Sequence, residues 1–388
     1  MKIFIKNQTL IYLMCTIFLT FSTSLANAYI GLCCAHCGGN MPLNIPGGGI
    51  PETNEFRLKV SEAFMRMDGL RNGTSNQSRS DLLGMPAMGK FMAVPKSMDM
   101  WMTNVSTAYS FADDFAGMVM FMYSNKDMPM EFSPMMKTMT GKDGFTMETD
   151  GLADTMVMGK YRLYKDDNLA PTRQLSMMFG ASLPTGSISK KLKNHPVTAN
   201  NGRLQPFGMQ LGSGTVDPVL GLTYQGSRSP FWYGANAAYT GRWYDNSQGY
   251  HKGQEFKYDL YGMYQAFYNT VFHLQLNGQW LGKYSDEPDD QKNNGDGHVS
   301  FSPASGFQSP LFDPDNYGGH KLNFTAGVQF QPFPLQVLEL NFQAPIYQDL
   351  NGPQLKDDYR VQLSFYIEIP TKKSRRYVGT KAPAELGF

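Results

Sequence analysis

The sequence has little of what marks an enzyme or a nucleic-acid binder. Charged residues make up 17% of its 388 residues and the formal net charge is +1, so bulk electrostatics imply no polyanionic partner and no nucleic acid. There is no Ser-centred nucleophile elbow and no H-E-x-x-H. The glycine run in "NIPGGGIPE" (44–52) lacks the strand–helix context and the Lys-Ser/Thr of a phosphate loop, and reads as an irregular linker or short plug. Beyond the N-terminus no stretch reaches the ~18 consecutive apolar residues of a membrane helix. Cysteine is scarce, with four in all. What is plentiful is Gly, Tyr, Phe and Met, with 26 methionines and 13% aromatic residues.

The N-terminus carries an address. Lys2 and Lys6 precede the apolar "LIYLMCTIFLTF", and "STSLANA" follows, with Ala26 and Ala28 at the small positions of a cleavage site. This is the build of a secretory signal peptide cleaved after Ala28. Lipidation is disfavoured because Leu32 precedes Cys33 and Cys33 precedes Cys34, where a small residue is needed.

The mature sequence alternates apolar and polar residues. "VFHLQLNGQWLGKY" sets Phe272, Leu274, Leu276, Trp280 and Tyr284 on one face against His273, Gln275, Asn277, Gln279 and Lys283. Period two means β-strand with one apolar face. Twelve strands are expected, near 55–67, 98–111, 115–127, 152–165, 172–183, 216–227, 230–244, 253–268, 271–283, 319–331, 334–347 and 358–369. Most exceed the usual ~5–6 residues of globular strands and match the ~9–11 needed to cross a bilayer at a tilt. Connections alternate long and short, as in outer-membrane barrels with short periplasmic turns. The expected fold is therefore all-β: a transmembrane antiparallel β-barrel of about twelve strands in the outer membrane of a Gram-negative bacterium. Residues 1–28 are the signal peptide and 29–54 an N-terminal Cys/His/Gly-rich periplasmic or plug segment. Residues 55–370 form the barrel and 371–388 a basic periplasmic tail.

Several motifs resemble one family. "HCGGNMPLNIPGGGIPETNEFRLKVSEAFMRMDGLRNGT", "TMVMGKYRLY", "DPVLGLTYQGS", "DPDNYGG" and "NGPQLKDDYRVQLSFYIEIPTK" are similar to the outer-membrane transporter family named after the meta-pathway of phenol degradation. The resemblance spans nearly all of the mature chain. It implies a monomeric barrel with a transport-type role and leaves the solute open. A distant architectural likeness to long-chain fatty-acid transporters does not extend to their plug pattern, so fatty acid is not implied.

The methionines form the main constellation. Met65 and Met67, then Met98, Met100 and Met102, then Met118, Met120 and Met122, then Met156 and Met158 all share strand faces with charged and hydroxyl residues, opposite aromatic and branched ones. In a membrane barrel the polar face is the lumen. Met85, Met88, Met92, Met128, Met130, Met135, Met136, Met139 and Met147 are assigned to outside loops. Thioethers suit soft ions such as Cu(I). M-x-M spacing in a strand sets sulfurs about 7 Å apart, so one ion also needs ligands from a neighbouring strand. The competing reading is a pliable apolar lining.

Cys33, Cys34, His36, Cys37 and Met41 form a second group. Its His lies inside the C-x-x-C, so haem attachment is not indicated. Either one disulfide forms and leaves a thiol, or thiolates and imidazole capture a metal. Lumenal Arg57, Lys59, Lys160 and Arg162 tune pore charge or pair with acids. The favoured reading is a non-enzymatic barrel passing copper through a Met-lined lumen, handed to a periplasmic metal carrier or efflux component. The alternatives are a channel for small hydrophobic or aromatic compounds, and a structural barrel.

Overall fold

The computed structural model describes residues 41–46, 53–85, 88–167, 171–288 and 307–374. The signal peptide, Cys33, Cys34, His36, Cys37 and the tail beyond Ser374 lie outside the described residues.

Fourteen strands form one antiparallel sheet: β1 (Glu55–Gly73), β2 (Ser75–Gln77), β3 (Ala93–Pro95), β4 (Ser97–Ala112), β5 (Phe115–Phe132), β6 (Gly144–Leu152), β7 (Thr155–Lys165), β8 (Arg173–Leu183), β9 (Asp217–Arg228), β10 (Phe231–Thr240), β11 (Glu255–Phe267), β12 (Thr270–Leu281), β13 (Gly319–Phe330) and β14 (Gln336–Pro370). The ring runs β1, β4, β5, β7 and onward in order to β14, which pairs back with β1 and closes the barrel. Eleven strands make the ring, and β2, β3 and β6 are added at its outer end. No described helix is long and apolar enough to cross a membrane.

Twelve expected strands become eleven because β14 holds two crossings. Its first arm pairs antiparallel with β13 as far as Leu350, and its second pairs antiparallel with β1 from Gln354 to Pro370. The direction reverses at Gly352, whose φ of 66° suits a residue without Cβ. The Gln348 side chain joins the arms, donating to the Asp357 carbonyl and accepting from its N–H.

The alternation fixes which face meets lipid. On β12, Phe272, Leu274, Leu276 and Trp280 are exposed while Val271, His273, Gln275 and Asn277 are buried. Tyr284 leaves this pattern: β12 ends at Leu281, and Tyr284 stacks on Tyr317 in the outer loops, 4.5 Å between ring centroids. Around the rim at the short-turn end, Phe56, Tyr109, Phe111, Phe115 and Phe179 pass ring to ring at 4.5 to 6.4 Å. Such a girdle is the interfacial belt of a membrane barrel, where a ring meets both lipid and headgroup.

The segment expected as a loop over 128–151 is largely regular. β5 continues to Phe132, a short helix spans Pro134–Thr140, and β6 returns along the upper half of β5. Ser133 caps that helix by accepting from the Met136 N–H, and Gly141, at φ 65°, ends it. The expected strand at 152–165 begins only at Thr155; Leu152 closes β6 instead.

Candidate functional site

Apart from Met41, the structure places every described methionine of the proposed site on the lumenal side of its strand. Cα register sets Met67 opposite Met98 and Met65 opposite Met100 across β1 and β4. It sets Met118 opposite Met158 and Met120 opposite Met156 across β5 and β7. Met102 and Met122 lie on the same faces, with Ser106 and Ser124 buried in the same phase.

Six of these side chains, Met67, Met98, Met100, Met118, Met156 and Met158, fall into two apolar groups, with Met178 beside them. Met158 and Met178 pack with Val219, and Met118, Met156 and Ala238 lean on them. Higher up, Met98, Met128, Met130, Met136, Met147 and Met209 share one buried cluster with Leu70, Phe91, Phe132 and Leu355, flanked by Met67, Met92 and Met100. Met128, Met130 and Met147, expected in loops, are strand residues there, and Met128 faces Met147 across β5 and β6. Among the described residues no three His, Cys, Asp or Glu side chains converge as a metal site.

Met41 belongs to neither group. Residues 41–46 lie inside the lower half of the barrel. Met41, Leu43 and Ile45 are buried against Trp232, Tyr261, Met263, Val271 and Val337. The Leu43 N–H donates to both carboxylate oxygens of Glu339 at 2.9 Å. Lys59 Nζ donates to the Leu43 carbonyl at 3.0 Å, and Asn44 exchanges two amide hydrogen bonds with Gln275. Gln329 Nε2 donates to the Met41 carbonyl, and Gln225 Nε2 reaches its sulfur at 3.7 Å. Five strands therefore hold this segment inside the barrel, in the position that a plug would take.

The lumenal bases are engaged. Arg57 pairs with Glu368 and lies over the Tyr366 ring at 4.6 Å, and Arg162 reaches Asp114 at 3.4 Å.

The outer end is capped. Lys126 Nζ donates to the carbonyls of Gly208 and Gln210, drawing the β8–β9 loop inward so that Met209 is fully buried. Phe207 sits edge-on among Tyr250, Tyr284 and Tyr317 at 4.8 to 5.4 Å. Burial raises the Tyr250 hydroxyl to about 12, so it stays neutral.

Within the cap is a cavity of about 170 Å³. Five methionines line it, Met92, Met130, Met136, Met139 and Met147, together with Phe132, Phe145, Leu192, Phe312 and His195. Phe132 stacks on Phe145 at 5.4 Å, and the His195 ring stands edge-on to Phe145 at 4.3 Å. Burial lowers the His195 pKa below its ordinary value, against a smaller opposing effect of the Val197 backbone. Met85, Met88 and Met135, also expected outside, face solvent. The cavity is assembled from segments near 92, 130–147, 192–204 and 308–312, which share no motif; the only sequence signal was the density of loop methionines.

A family described as "Putative MetA-pathway of phenol degradation" matches residues 97–331, more than half of the chain. The chain belongs to this family. Its fold is that of an outer membrane channel from Pseudomonas putida F1, with a TM-score of 0.53 at 12% identity over 84% of this chain and 100% of that one. This member of the phenol-degradation family thus has the fold of an outer-membrane β-barrel. Two other barrels are less alike. A Pseudomonas aeruginosa FadL homologue has a TM-score of 0.41 at 9% identity over 87% and 96% of the two chains. The CymD monoaromatic hydrocarbon channel has 0.38 at 8% identity over 82% and 90%. At those scores no shared function follows. No curated protein matches the sequence.

Proposed function

We propose that this channel takes up small, single-ring aromatic molecules, captured first in the cap cavity and led inward along the lumenal methionines. The observation that carries this reading is the cavity: about 170 Å³, walled by thioethers and phenyl rings. An apolar cavity of about 150 Å³ is large enough to hold benzene. Methionine is flexible and polarizable and makes favourable contacts with ring edges, so such a wall adapts to substituted rings. The family's description, which names phenol degradation, agrees with that ligand class.

Copper passage is the weaker reading. The lumenal thioethers pack against Val219, Ala238, Leu70 and one another, which is how an apolar lining behaves. Neither the family nor the fold neighbour points to a metal, a metal carrier or an efflux partner.

The test is calorimetric titration of the purified barrel with toluene and with Ag(I) as a Cu(I) surrogate. Toluene is expected to bind, and Ala93→Leu, which fills the cavity, is expected to weaken it by more than about tenfold, the scale of one to two lost methylene burials. Retention of one Ag(I) per chain, lost when Met118, Met120 and Met122 become Leu, together with no toluene binding, would restore the copper reading.

A further inference from the structure

We infer that the lower barrel holds a proton-operated latch: a proton taken up by His273 releases residues 41–46 from the lumen. His273 sits near the short-turn end of β12 and faces Gly327 on β13, which faces Asn341 on β14. A Cβ on Gly327 would overlap both His273 Nε2 and Asn341 Oδ1, so glycine is what lets the two heads lean over β13. The side chains of His273 and of Glu339, also on β14, are fully buried there. The resting tautomer follows from a chain of partners. The Asp259 carboxylate accepts, so it takes Asn277 Nδ2 at 2.7 Å. The same nitrogen donates to Gln275 Oε1 at 3.0 Å, which turns Gln275 Nε2 toward His273 Nδ1 at 3.1 Å. An amide nitrogen donates, so Nδ1 accepts and the ring proton sits on Nε2. That buried nitrogen has no hydrogen-bond partner, and Glu339 Oε2 lies 3.6 Å from it.

Two anchors of residues 41–46 are neighbours of this ring. Gln275 exchanges two hydrogen bonds with Asn44, and Glu339 accepts the Leu43 N–H. A second ring proton, on Nδ1, sets two donors face to face at the Gln275 contact. Turning the Gln275 amide over only moves the clash to Asn277, which Asp259 and Thr325 hold in place. Gln275 therefore shifts away and Asn44 loses its partner. At the same time the imidazolium attracts the Glu339 carboxylate in competition with the Leu43 N–H. Two further charged groups bear on the ring. Lys59, on β1, donates to the Leu43 carbonyl and opposes a second cation beside it. Asp259, on β11, acts through Asn277 and Gln275. Directly opposite the ring, β11 presents Met263 and β13 presents Gly327, neither of them charged. The strands keep their backbone pairing, so only the segment moves.

The test is conductance of the full chain in planar bilayers at about pH 7.5 and about pH 5, either side of the ordinary imidazole value. The ratio of acid to neutral conductance is read within each protein, so differences in basal conductance cancel. In the intact chain the ratio is expected to be several-fold, rising by no more than ~10-fold per pH unit, the limit for one proton. In His273→Gln, which cannot take up that proton, the ratio should stay near one. A flat ratio in the intact chain overturns the latch. An equal rise in both proteins overturns the assignment to His273 and moves the proton to Glu339 or Asp259. If His273→Gln does not fold, ¹⁵N spectra of the intact protein decide. His273 should show a protonated Nε2 and an accepting Nδ1 at neutral pH, and should titrate together with the conductance. A ring that stays neutral while the conductance rises refutes the proposal.

Discussion

One wall of the lumen, from β9 to β14, is a hydrogen-bonded ladder. Thr223 donates to Asn236, whose amide donates to one oxygen of Asp259; Asn277 donates to the other and accepts from Thr325, all within 2.6 to 3.0 Å. Lower down, Gln329 and Asn341 donate to Glu339. The facing wall, from β1 through β8, turns methionines inward from the same strand geometry and makes apolar clusters instead. The ladder has directions and partners, so it specifies one arrangement. The thioethers have neither, so their wall can repack. Rigid support and adaptable lining are thereby assigned to opposite sides of one pore.

The most damaging way to break this comparison is to cut the ladder. Asp259→Ala leaves the Asn236 and Asn277 amides without their acceptor in a buried site. Hydrogen bonds to a charged group are worth ~1.5–3 kcal/mol each, and orphaned donors add to the loss, so about 3 kcal/mol of stability should disappear. Met120→Leu on the opposite wall nearly conserves volume and should cost below ~1.5 kcal/mol. Urea unfolding of both variants in the same detergent measures the contrast. Equal losses would mean that the two walls are not built on different principles.

A second cut sharpens the role of Glu339, where ladder and plug meet. This carboxylate accepts the Leu43 N–H as well as Gln329 and Asn341. In Glu339→Ala the plug loses its charged anchor while Asn44 and Lys59 keep theirs. Single-channel conductance in planar bilayers is expected to rise several-fold, with long open intervals. An unaltered conductance would show that residues 41–46 do not limit the pore.

Much of the ladder side was legible beforehand because strand periodicity reports faces directly. Gln275 and Asn277 are inward for the same reason that Leu274 and Leu276 are outward. The lumenal phase of Met118, Met120 and Met122 was readable by the same rule. The cap was not. Methionine has no strong strand preference, and Pro129 interrupts the pattern, so the upper half of β5 read as loop although Met128 and Met130 continue the inward phase. The cavity draws on four separated segments, and the proximity of His195 to Phe145 depends on tertiary packing that no local spacing encodes. The seating of residues 41–46 was not legible, because the partners that hold them lie far along the chain.

The smallest expected effect concerns pH and the cap alone. His195 has a folded pKa lowered by burial, whereas in an opened cap it returns to its ordinary value near 6.5. Above that value the ring is neutral in both states and the cap keeps its full stability. Below it the opened state takes up a proton that the closed state refuses, so stability falls as pH falls until the folded pKa is passed. Hydrogen exchange, corrected for the intrinsic rate, should show protection of the His195 and Val197 amides dropping below pH 6.5 by at most ~10-fold per pH unit, the limit for one proton. Amides of the β9–β14 ladder should not follow, because the neutral imidazole supports only the adaptable side of the molecule. A parallel drop in both sets would show that cap and ladder open as one unit.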